Sequence, residues 1–181
     1  MKSRVITVSA IAAGLVAICL AVGIYFNFAD VFALIAASVF VILPLYLKSY
    51  KGAFMAYLVG GLLGLIFGWF NFVYSFVFPA YFVFFGVYPI INCYFKDKKV
   101  KRYISHLVGL LWSVATFYGI YFYYTAVMGL NFNDMPDYFL WINDYIIYAV
   151  GVLGLGFYFI YDRFITIIRT LIDRYLYKII K

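Results

Sequence analysis

Long apolar stretches alternate along this chain with short islands of charged and polar residues, and the islands read as loops. After Lys2 and Arg4 an apolar run extends from Val5 to about Phe26, and Asn27-Phe28-Ala29-Asp30 forms a short turn. A second run, Val31 to Leu47, ends at Lys48-Ser-Tyr-Lys51. The 44 residues from Gly52 to Phe95 carry no formal charge, which suits two spans with a break near 69–75. The basic island 96–102 follows, then a run to Met128, a polar loop with Asp134 and Asp137, and a last run to Tyr161. A bilayer core about 30 Å thick takes roughly 20 helical residues to cross. The pattern therefore predicts an all-α integral membrane protein with six transmembrane helices, at about 5–26, 31–47, 52–70, 73–95, 103–128 and 139–161. Residues 1–161 form one membrane domain and 162–181 a tail.

Composition sharpens this. Of 181 residues, 68% are hydrophobic and only 12% charged, with a mean hydropathy of +1.02, which excludes a soluble domain and a disordered chain. Cys19 and Cys93 lie far apart within apolar runs and His106 is the single histidine, so no metal-ligand spacing occurs. No cofactor and no metal site is expected.

Six spans would place both termini on one side, and then all 14 cations share that side with Asp97, Asp162 and Asp173. The opposite loops hold Asp30, Asp134, Asp137 and Asp144 and no cation. The positive-inside rule makes the basic side cytoplasmic, which predicts a multi-pass cell-membrane protein with cytoplasmic termini. The basic balance thus follows from topology, and no nucleic acid is expected as a partner. The first apolar run is too long for a signal peptide, and Ile18 stands before Cys19 where a lipoprotein cleavage site needs a small residue, so the first helix is read as retained. In the tail, Phe164, Ile165, Ile168, Leu171, Ile172, Tyr175, Leu176 and Ile179 recur at nearly helical spacing, with Arg163, Arg169, Arg174 and Lys178 on the other face. That predicts an amphipathic helix continuing from the sixth span along the inner surface of membrane lipid.

Two spans carry small residues every fourth position, the pattern that lets backbones approach in lipid. They are Ser9, Ala13, Ala17 and Ala21 in the first and Ala56, Gly60, Gly64 and Gly68 in the third. No Asp, Lys or Arg lies inside the first, third, fourth or fifth span, so a proton-coupled carrier or voltage sensor lacks its charge-moving groups. An intramembrane hydrolase lacks a paired acid and base, so an enzyme is not expected. What remains is an outer rim of polar and aromatic residues. Asn71, Tyr74, Trp141, Asn143, Asp144 and Tyr148 are the candidate substrate-binding residues, since rings beside Asn and Asp suit a pocket that stacks a flat ligand and hydrogen-bonds its edges. With no outer cation, a neutral or cationic ring compound fits better than a carboxylate. Pro44, Pro79 and Pro89 are expected to kink the second and fourth spans.

The small-residue first helix, Ala13-Gly-Leu-Val-Ala17-Ile-Cys-Leu-Ala21, the segment 45–57 and Tyr88-Pro-Ile-Ile91 before a basic loop resemble the substrate-binding S components of energy-coupling-factor transporters, and Phe159-Ile-Tyr-Asp-Arg-Phe-Ile165 looks like a Firmicute branch of that family. The resemblance covers nearly the whole chain. It implies capture of a vitamin or similar micronutrient from outside and docking, through Ala13, Ala17 and Ala21, on a membrane coupling subunit driven by two cytoplasmic ATPases. Two other readings stay open: a noncatalytic six-span scaffold of the cell-shape machinery, and a membrane enzyme whose outer aspartates hold a divalent metal.

Overall fold

The computed structural model describes residues 2–68, 76–126, 129 and 140–179, and among these the regular elements are all helical. They are α1 (Lys2–Tyr25), α2 (Asp30–Ile42, drawn out by a 3-10 turn Leu43–Leu47), α3 (Tyr50–Phe67), α4 (Val77–Ala80), α5 (Val87–Asp97), α6 (Arg102–Ala126) and α7 (Leu140–Ile179). A π turn, Tyr81–Phe85, joins α4 to α5, so these three pieces make one span. Six helices are long and apolar enough to cross a membrane, the number the hydropathy pattern predicts. The sixth does not end at Tyr161. It continues through Asp162-Arg163 as one helix of 40 residues, because neither Gly nor Pro stands there to stop it.

The chain packs as two compact units, Met1–Val100 with Arg163–Lys181, and Lys101–Asp162. The tail thus belongs with the first four spans rather than standing apart.

In the first unit, α1 and α3 run parallel in a constant register. A methyl added to Gly60 would lie 2.7 Å from Val16, one on Gly64 2.8 Å from Leu20 and one on Gly68 2.5 Å from Ile24. These distances are below van der Waals contact, so each glycine is a notch that a large α1 side chain fills. Partners share a spacing of four on both helices, the i, i+4 ridge that packs into a matching groove. The notches at Gly60, Gly64 and Gly68 take Val16, Leu20 and Ile24; of the small α1 residues, the Ala13 carbonyl also borders Gly60 and Ser9 Oγ lies against Gly52. Ala13 and Ala17 are themselves buried, 3% and 2% exposed, and Ala21 is half-buried.

The prolines have local consequences. In an α-helix the Phe85 carbonyl would accept from the amide of residue 89, and Pro89 has none. Ser38 Oγ, from α2, stands 2.8 Å from both Leu34 O and Phe85 O, so its single proton is shared between its own helix and the Phe85 carbonyl. The π turn packs through tyrosines: Tyr57 Oη donates to Phe82 O and Tyr81 Oη to Tyr57 O, each at 3.0 Å. Gly86 leaves room for the Tyr57 ring, which an added Cβ would strike. Pro44 opens the 3-10 turn, left-handed Lys48 (φ 54°) closes it, and Ser49 then caps α3 by accepting from the Gly52 amide at 3.0 Å.

The tail is fixed to this unit by both faces. Ile165 is fully buried. Arg169 Nη1 donates to Cys93 O at 3.1 Å, in the last turns of α5, and Arg169 Nη2 and Tyr50 Oη both bond to the Asp97 carboxylate. Arg169 was expected on the polar, lipid-headgroup face; it is instead the bolt of a clamp joining three helices.

The second unit is an antiparallel pair, α6 with the first part of α7. Contacts pair Ser113 with Gly154, Tyr118 with Ile147 and His106 with Tyr158, so one index rises as the other falls. Ser113 Oγ donates to Gly154 O at 2.9 Å and Tyr118 Oη to Ile147 O at 3.0 Å. At Gly154 an added methyl would come 3.2 Å from Val114 Cα, a backbone-to-backbone approach.

Candidate functional site

The predicted substrate residues are placed unevenly. Asn71 and Tyr74 lie outside the described residues. Trp141, Asn143 and Asp144 belong to the first turns of α7, with their side chains outside the description. Helical register puts residues 141, 144 and 148 on one face and 143 on the opposite one. Tyr148, on that face, is 71% exposed, and its neighbour Tyr145 is exposed too. The start of α7 thus presents an open tyrosine face.

The predicted partner residues stand differently. Ala13 and Ala17 are buried by the chain's own packing, Ala13 lining a groove between α1 and α3, so a docking subunit would meet little of either methyl. Ala21 keeps part of its surface.

Two constellations were not singled out from the sequence. In the second unit, Arg102 Nε donates to His106 Nε2 at 3.2 Å, which leaves Nδ1 as the protonated nitrogen, 2.8 Å from Tyr158 Oη. Asp162, almost wholly buried, has Oδ2 3.9 Å from that nitrogen. The cluster orients the imidazole between a cation and an acid, and it holds two helices at their charged ends. Spacing gave a signal: 102 and 106 on α6, and 158 and 162 on α7, are each one turn apart.

In the first unit an apolar groove of about 600 Å³ runs between the amino-terminal parts of α1 and α3. Ile6, Ala10 and Ala13 form one wall, and Gly52, Met55 and Val59 the other. Ser9 also lines it, and its Oγ is buried with no hydrogen-bond partner. Lys51 stands at the end where α3 begins. Among the described residues no cluster of three or more His, Cys, Asp or Glu is close enough to hold a metal ion.

No protein-family model matches the chain, no curated protein matches it in sequence, and no solved structure matches it in fold.

Proposed function

We propose that the chain is the substrate-capture subunit of an energy-coupling-factor type importer in the cell membrane, with both termini cytoplasmic. It takes a small, ring-containing, neutral or cationic vitamin-like compound from outside and docks on a coupling subunit powered by two partner ATPases. What supports the reading is the combination of six membrane-length apolar helices among the described residues with a sequence whose cations, on a six-span reading, all fall on one side of the membrane and whose polar, aromatic rim falls on the other. The resemblance of the first helix and of residues 45–57 and 88–91 to S components supports it. Trp141, Asp144 and Tyr148, which share a helical face, are the residues of the rim most able to stack and hydrogen-bond one ligand.

The test is co-purification of the tagged chain, in mild detergent, with the host's coupling subunit and both ATPases. Recovery of all three is expected, and Ala21→Leu, at the half-exposed end of the small-residue stripe, should lower it while leaving the chain monodisperse. Clean absence of all three overturns the importer.

A second reading has an observation in its favour. The burial of Ala13 and Ala17 makes the first-helix stripe internal packing, which is what a noncatalytic six-span scaffold of the cell-shape machinery would need. A scaffold would retain neither the ATPases nor any small molecule in that experiment.

A further inference from the structure

The groove between α1 and α3 is built of apolar side chains but ends in positive charge. Val5 to Ala13 on one wall spans about 12 Å of helix axis at about 1.5 Å per residue, enough for part of an acyl chain. Both walls belong to helices of membrane-spanning length. At its end Lys51 lines the opening, exposed Arg4 and Lys48 stand on the first turn of α1 and just before α3, and neither helix has an acidic residue in its first turn. The α3 amino terminus adds its own partial positive charge, with the Tyr50 and Lys51 amides ahead of the first intrahelical bond, Ala53 N–H to Ser49 O. Within the apolar wall, Ser9 is 8% exposed and its Oγ has no partner in the protein.

We infer that this groove binds one anionic phospholipid, an acyl chain lying between Ala10 and Met55 and the phosphate at Lys51 and the first turn of α3. The apolar wall selects the chain, and the charge selects the headgroup. Bulk lipid of either charge would fill an uncharged groove equally, so headgroup discrimination is the property that separates a site from a coating.

The experiment uses the full chain, purified in mild detergent and offered phosphatidylglycerol or phosphatidylcholine with identical acyl chains, with bound lipid counted by native mass spectrometry. One phosphatidylglycerol per chain is expected to survive, with phosphatidylcholine retained several-fold less. Lys51→Gln should weaken phosphatidylglycerol retention about fivefold, the effect of one basic residue near an anionic lipid surface. Ala10→Phe, which puts a ring into the slot, should abolish it, whereas Ile11→Phe, on the exposed apolar surface outside the groove, should not. Size exclusion confirms that each variant is folded, and Lys51→Gln, outside the helix packing, keeps the test alive if Ala10→Phe is not. Equal retention of the two lipids, or retention indifferent to Lys51→Gln, overturns the site. So does displacement of a co-purified membrane protein by Ala10→Phe with the lipid count unchanged, which would give the groove to a protein helix. Because lipid is counted on the isolated chain, the result is separate from recovery of the coupling subunit.

Discussion

Where α1 meets α3 the contact is made by absent side chains, three glycines each receiving an aliphatic residue; where α6 meets α7 it is made by hydroxyls on backbone carbonyls, Ser113 on Gly154 and Tyr118 on Ile147. Both are answers to one problem. Lipid tails are as apolar as leucine, so burial alone does not draw helices together, and close packing or interhelical hydrogen bonds must do it. The first answer depends on shape along a whole ridge. The second depends on a few polar atoms, with Gly151 and Gly154 leaving room for α6 beside them.

That contrast can be broken at its strongest point first. Gly64→Leu, with Leu20 already in the notch, should force α1 and α3 apart and cost about 1–3 kcal/mol or more, read as a fall in thermal unfolding temperature in detergent. Ser38→Ala should cost about 1–2 kcal/mol, because it removes a buried hydroxyl shared between Leu34 O and Phe85 O; in a Pro89→Ala background the loss should shrink, which a double-mutant cycle measures. In the second unit, Ser113→Ala should cost only about 0.6 kcal/mol, the usual worth of a hydrogen bond between helices in lipid. Gly119→Ala reverses the sign. No atom lies within 4 Å of a methyl built there, so replacing a helical glycine should stabilise by about 0.5–1 kcal/mol. If Gly64→Leu and Gly119→Ala had the same effect, the ridge would not be what holds α1 to α3.

The tail offers a gentler probe. Arg169→Gln removes an ion pair with a half-exposed Asp97, worth about 0.2–1 kcal/mol at such exposure. Its effect should therefore be local: faster amide hydrogen exchange in residues 163–172 with the unfolding temperature little changed.

The spans were legible because each needs only length and apolarity, properties of one segment. Pairings were not, because they depend on which face of each helix turns inward. The glycine stripe of α3 is plain in the sequence, and Val16, Leu20 and Ile24 recur at the same period in α1, yet the small residues Ala13 and Ala17 drew the eye as a second contact face. Matching small to large across two helices, rather than small to small, is the signal that would have found the pair. The Ser38 bond to Phe85 and the clamp of Arg169 on Asp97 and Tyr50 join residues 47 or more positions apart, and nothing local marks them. At the rim, helical period alone separates Asn143 from Trp141, Asp144 and Tyr148, a distinction open to a reader of the sequence who counts turns.

The constant register of α1 on α3 also bears on how the chain is made. Each α1 knob waits for a notch 44 residues further on, and at synthesis rates of about 5–20 residues per second that notch emerges roughly two to nine seconds later. During that interval the first helix must sit in the bilayer without α3, with only α2 made and packed beside it. It is equipped to do so, since from Val5 to Tyr25 it carries no charged side chain. Its final partner therefore selects it from lipid, and newly made chains stalled before α3 should be held by the membrane yet remain open to protease and to foreign helices.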